Sequence, residues 1–214
     1  MNENKTIEEM KECGYHIMKQ LKLREIDLFL YLSRYTWFMK ASNIASLSFE
    51  HLKSSTDYPY QSGYLTYKSI VLRVIEEMDK AFIINNRITH LIEDYYIDTD
   101  NGILHLNYNS YGLKVIQCIG ISLVFLKIST FSQLKSVYSK RLYKMLLDTE
   151  EKRNLILSVE SLRYWLNIPD SYAIKDINEK ILKYVSEDIG NIENNFKITK
   201  NFSGRKIKSY TFQF

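Results

Sequence analysis

Close to its C-terminus the chain reads GRKIK, which sets Arg205, Lys206 and Lys208 directly after Gly204. Cations gathered at a turn can neutralise successive phosphates of a nucleic acid and release its condensed counterions. The other use of such a set is as a charged strand edge that discourages sheet-to-sheet pairing. A second set, Ser171, Tyr172, Lys175, Asn178, Glu179, Lys180 and Lys183, lies along one segment. Asn pairs bidentately with adenine, Lys with guanine, and Glu accepts from cytosine N4, so these side chains could read base edges in a major groove. They could equally be the wet face of an amphipathic helix. Ser171, Tyr172, Lys175 and Asn178 come first along the segment, where a recognition helix presents its N-terminal turns to bases. A third set, Lys135, Lys140 and Arg141 with Lys144 one turn further on, is spaced for phosphate contact or for a solvated face. In the first half, Lys68 and Arg73 beside Tyr64 and Tyr67 would hold the equivalent helix, or else form a mixed-charge surface over core aromatics.

Other chemistries have no support in the residues. The 17 tyrosines raise a tyrosine nucleophile that nicks DNA, but His16, His51, His90 and His105 include no His-apolar-His pair to hold the metal such an enzyme needs. No GxxxxGK[ST], GxGxxG or GxSxG occurs, so a phosphate-cradling loop, a dinucleotide site and a nucleophile elbow are all unsupported. Cys13 and Cys118 lack any zinc-ligand or disulfide spacing. The expectation is a non-enzymatic protein without metal or cofactor, in a reducing cytoplasm.

These sets need elements to position them. A chain of 214 residues with 45% apolar and 25% charged types has the composition of one or two globular domains. Its net charge of +4 is unevenly placed. Residues 1–125 carry 13 Lys/Arg against 15 Asp/Glu, and residues 126–214 carry 16 against 10, a net −2 and a net +6. The basic part favours a polyanionic partner. The opening MNENKTIEEMKE has no cationic stretch followed by an apolar one, and the longest apolar run, Ile119–Ile128, is too short and interrupted to span a bilayer, so neither a secretory signal nor a membrane partner is expected.

Leu23, Ile26, Phe29, Leu30 and Ser33 recur at helical steps, predicting a helix over Leu21–Tyr35. Ser48 predicts an N-cap for FEHLKSS, and Pro59–Gly63 a turn. A helix over Tyr64–Phe82 follows, then a hairpin of residues 88–97 and 103–108. After a short helix over Ser110–Ile119 the order repeats: a helix over Phe131–Leu147, a strand at Leu155–Leu157, a helix Val159–Leu166 capped by Ser158, a turn through Pro169, a helix over Ala173–Ile192, and strands Asn195–Lys200 and Lys206–Phe214 joined at Gly204. This predicts an α+β protein of two tandem winged-helix domains, 1–125 and 126–214.

Three blocks in the second half resemble the iteron-binding plasmid replication initiators: FSQLKSVYSKRLYKML (Phe131–Leu146), LILSVESLRYWLNIPDSY (Leu155–Tyr172) and GRKIKSYTFQF (Gly204–Phe214). The first is similar to the LKS-x-YS-x-RLY-x-LL pattern that opens that family's second winged helix. The resemblance implies binding of repeated double-stranded DNA sites at an origin, help in opening an adjacent AT-rich segment and recruitment of host replication helicase or initiator proteins. It also implies a homodimer that represses its own gene while monomers initiate. The helix starting YAIKDINEKILK departs from the family's basic recognition helices through Asp176 and Glu179. Residue patterns alone leave open a winged-helix transcriptional repressor, or a protein-interaction module using the aromatic surface.

Overall fold

Hydrophobic steps of three and four, broken by runs of alternating residues, build two separate helix-and-sheet units, Met1–Ser132 and Gln133–Phe214, in a computed structural model. It describes residues 3–39, 42–56, 64–84, 87–124, 128–149 and 154–214. The expected division after residue 125 is replaced by one after Ser132, because a short helix, Ile128–Ser132, packs on the first unit.

In the first unit, helices α1 (Glu3–Gln20) and α2 (Leu23–Phe38) precede strand β1 (Ile44–Ser48), α3 (Phe49–Ser55) and α4 (Tyr64–Met78). Strands β2 (Phe82–Ile84), β3 (Arg87–Thr89), β4 (Ile92–Asp98) and β5 (Ile103–Tyr108) follow, then α5 (Ser110–Ile121) and α6 (Ile128–Ser132). Strands β1, β5 and β4 form one antiparallel sheet in the order β1-β5-β4. Ala45 and Leu47 face Leu106 and Leu104 across it, and all four are buried, the period-2 alternation of a half-covered sheet. Ser48 caps α3 as expected, its hydroxyl accepting from the His51 N–H at 3.1 Å.

Sequence periodicity misplaced several features of this unit: it assigned no strand to Ile44–Ser48, and it began the hairpin at residue 88, whereas β4 starts at Ile92. It assigned no helix to Glu3–Gln20, and it ran the helix from Tyr64 through Phe82, where β2 and β3 instead pair as a separate ribbon with Ile83 opposite Ile88. The expected turn at Pro59–Gly63 and the side chain of Tyr64 lie outside the described residues. Helices α2 and α5 approach so closely that a Cβ on Gly120 would stand 2.3 Å from the Ser33 carbonyl oxygen. Gly120→Ala should therefore destabilise this unit by about 1–3 kcal/mol, the usual cost of overpacking, measured as a lowered thermal midpoint.

The second unit repeats the order with α7 (Val137–Leu147), β6 (Asn154–Ser158), α8 (Val159–Leu166), α9 (Ile174–Asp176), a π-helical segment (Ile177–Leu182), α10 (Lys183–Gly190), β7 (Lys197–Ser203) and β8 (Lys206–Gln213). Its sheet runs β6-β8-β7, antiparallel throughout, with Leu157 opposite Tyr210 and both buried. Helix, strand, two helices and a returning pair of strands is the winged-helix order, so the expected α+β architecture of two tandem winged helices stands.

The helix expected over Phe131–Leu147 is broken. The Ser136 hydroxyl accepts from the Tyr138 N–H and starts α7 afresh, while the Asp188 carboxylate accepts from the N–H groups of Lys135 and Ser136. Those donors are satisfied outside a helix, so nothing favours winding through them.

Ile177, Ile181, Val185 and Ile189 follow one another in steps of four, and all are buried. On an ideal α-helix each such step rotates the stripe by about 40°, and three steps carry it about 120° off the core. The wider π-helical winding of Ile177–Leu182, in which the Lys183 N–H donates to the Asn178 carbonyl, keeps the stripe aligned.

Candidate nucleic-acid interface

The turn between α8 and α9 is positioned by side chains that bond to its backbone. Helix α8 is capped at its start by Ser158, which accepts from the Ser161 N–H at 3.0 Å. It ends at Asn167, whose φ of +57° closes the helix in a left-handed residue, a conformation Asn tolerates. The Arg163 guanidinium then donates to the carbonyls of Pro169 and Tyr172. The next helix begins where the Asp176 carboxylate accepts from the Ala173 N–H at 2.9 Å.

Asp176 thus has a local duty. Its carboxyl is held below the usual carboxylate range, first by the Lys180 ammonium at 2.7 Å and then by the Ala173 N–H. Lys180 is raised in turn by Asp176, and its ammonium stands 5.4 Å above the half-buried Tyr172 ring. The acidic character of this helix is in part its own N-terminal cap. Lys175 and Glu179 are both exposed, one turn apart with a 3.9 Å charge separation. Ser171 and Lys183 are exposed.

Asn178 is half-buried, and its amide donates to the Ile174 carbonyl at 2.7 Å, just where the backbone ladder changes step.

The α7 cations are a correction. Lys140 is completely buried, and Arg141 is buried with its Nη1 donating to the Leu166 carbonyl at 2.6 Å. Desolvation lowers the Arg141 pKa to about 10. Lys144 is also buried and pairs with Asp148. Of this set only Lys135 presents its side chain to solvent. The LKS-x-YS-x-RLY pattern therefore does framework work: Leu134 and Leu142 fill the core, Ser136 caps, Arg141 holds the end of α8, and the Tyr143 hydroxyl donates to Glu193 at 2.6 Å.

The hairpin of β7 and β8 closes with Ser203 opposite Lys206, leaving Gly204 and Arg205 as a two-residue loop. Gly204 takes a φ of +60°, which a residue without Cβ adopts freely. Arg205, Lys206 and Lys208 are exposed and carry no ion pair among the described residues. Lys197 and Lys200 on β7, absent from the expected set, are exposed as well. The hairpin thus presents five exposed cations.

In the first unit Arg73 is engaged by Glu77 at 2.8 Å and Glu76 at 3.9 Å, and Tyr67 is buried under Lys53. That is the mixed-charge surface over core aromatics, the second of the two readings of Lys68 and Arg73. Lys68, half-buried, has no ion pair among the described residues.

Among the described residues no group of three or more His, Cys, Asp or Glu could hold a metal ion, and no helix is long and apolar enough to cross a membrane.

The turn fixed by Arg163 and Asp176 yields a direct test. Arg163→Ala should leave the unit folded while the amides of Tyr172 and Ala173 exchange with solvent about tenfold faster, since opening there no longer breaks charge-assisted bonds. Native-state hydrogen exchange reads this directly, and Arg163→Lys, lacking the planar fork, should recover little of the protection.

Residues 158–214 match the family model described as initiator Rep protein, WH2. The chain resembles the Pi initiator protein solved in complex with iteron DNA, with a TM-score of 0.65 at 15% identity over 94% of this chain and 93% of that one. It also resembles the structure of domains 2 and 3 of RctB, with a TM-score of 0.55 at 10% identity over 90% of this chain and 81% of that one. No curated protein sequence matches.

Proposed function

We propose that this protein is a plasmid replication initiator that binds repeated double-stranded sites at an origin, a reading supported by the match of residues 158–214 to the second winged helix of initiator Rep proteins. The observation that carries the reading is the pairing, within one unit, of an exposed recognition segment with an exposed cationic hairpin. Ser171, Lys175 and Lys183 stand on the first, and Arg205, Lys206 and Lys208 on the second. Base-edge contacts from the helix set the site, and hairpin contacts to phosphate set orientation and most of the salt dependence. Lys135 and Lys68 add backbone contacts. The likeness of the chain to the DNA-bound Pi initiator supports the same reading.

Binding performs no covalent chemistry in this scheme and needs no cofactor. Bound protein strains an adjacent AT-rich segment toward opening and presents a surface to the host helicase or initiator proteins. A homodimer occupies the operator of its own gene. Two winged helices on one chain engage successive groove faces, each raising the effective concentration of the other.

Selection from a random duplex pool at two salt concentrations, followed by replication of a reporter plasmid carrying the enriched sequence as its origin, tests the proposal. A single repeated motif that supports replication is expected. A motif that is bound and silenced but never replicated would make the protein a repressor. No enrichment at either salt would overturn DNA recognition and favour an interaction module.

A further inference from the structure

The cationic hairpin carries one large apolar side chain in water. Phe202 is 63% exposed, two residues before Gly204, among Lys200, Arg205, Lys206 and Lys208. A lone exposed apolar residue is ordinary on a protein surface. This one is aimed by the backbone. The ladder pairs Asn201 with Ser209 but Phe202 with Ile207, so Lys208 is an extra residue and a β-bulge lies at this point. Bulges bend and twist a strand and redirect the side chains beside them.

The bulge is also clamped. The Asn201 amide donates to the Ser209 hydroxyl at 3.0 Å and to the Thr211 hydroxyl at 2.9 Å, tying β7 to β8 immediately before the shift. Phe202 is thus presented near the hairpin tip, opposite Ile207, on the same ribbon as Lys200, Arg205, Lys206 and Lys208.

Charge complementarity names the occupant. Exposed cations on the same hairpin as an exposed aromatic ring suit a surface with anionic rims and an apolar floor, and the minor groove of duplex DNA has phosphate rims and sugar walls. A narrow minor groove draws in Arg, and apolar side chains entering it unstack base steps at a cost of a few kcal/mol per step. We propose that Phe202 is a wedge that packs against the minor-groove wall and partly unstacks a deformable pyrimidine–purine step, beside phosphate contacts from Arg205 and Lys206. The proposal rests on the DNA-binding reading and adds to it a residue that selects sites by deformability rather than by hydrogen bonds.

The test uses the full chain with the duplex recovered by selection, labelled with 2-aminopurine at successive steps. Wild-type protein should raise fluorescence at one step only. Phe202→Ala should abolish that rise and weaken binding about tenfold to hundredfold, the worth of one buried Phe side chain. The slope of affinity against salt should stay unchanged, because no charge is lost. Phe202→Leu should recover part of both effects. Being on the surface, the variant should melt with the wild type, which circular dichroism checks. Binding by Phe202→Ala within twofold of wild type, or an undiminished fluorescence rise, would overturn the wedge while leaving DNA recognition intact. Failure of the wild type itself to bind any selected duplex would overturn both.

Discussion

The double variant Arg205→Ala/Lys206→Ala should lose about tenfold to hundredfold in affinity for its duplex at low salt. Its log–log slope of affinity against salt should become shallower by about two, one unit for each phosphate contact removed. The reason is geometric. Both residues are exposed beside a tip closed by Gly204, and neither carries an ion pair among the described residues to compete with phosphate. The helical segment from Ile174 behaves otherwise. Lys180 is held by Asp176, and Lys175 stands near Glu179, so alanine at either should change the slope less. Titrating a labelled duplex at several salt concentrations separates the two classes. An unchanged slope in the double variant would mean that the hairpin does not touch the backbone.

Asp148→Ala should destabilise the second unit by about 3–5 kcal/mol, the cost of stranding a buried charge. Lys144 and Asp148 pair one turn apart, and their side chains are 1% and 2% exposed. Replacing both with apolar residues of similar size, Lys144→Met with Asp148→Leu, should restore most of the stability, because a buried pair gains little over good packing once its desolvation is counted. Chemical denaturation of the single and double variants measures the difference. Equal losses in the two would show that other contacts of these side chains matter more than the pair.

Much of the fold was legible because it rests on short-range patterns. The three-and-four spacing of Ile26, Phe29, Leu30 and Ser33 placed α2, and Ser48 and Ser158 marked helix starts with the hydroxyl that accepts the third N–H onward. Gly204 marked the hairpin tip. Errors arose where a distant residue decided. Asp188 reaches back to Lys135 and Ser136 and breaks a helix that periodicity alone runs through. The ribbon of β2 and β3 needed the pairing of Ile83 with Ile88, which a helical stripe through Met78 concealed.

The candidate site divides along the same line. Exposed cations on the hairpin were readable, since a Lys/Arg run after a turn glycine has nowhere to bury. Cations on α7 were not, because Lys140, Arg141 and Lys144 have the same spacing whether a helix face meets water or protein. The spacing of Asn178 gave no sign that the π-helical segment engages its amide with the Ile174 carbonyl.

By itself the sequence determined a helix, a Ser-capped short helix, a further helix and a hairpin in each half, and the C-terminal likeness to initiator Rep proteins, since both reside in contacts within a few residues along the chain. Only the tertiary structure decided which charges remain available and where Phe202 points. Burial is set by residues brought from far along the chain, as Leu166 is to Arg141 and Glu193 to Tyr143. A bulge exists only when a second strand supplies the register that it breaks.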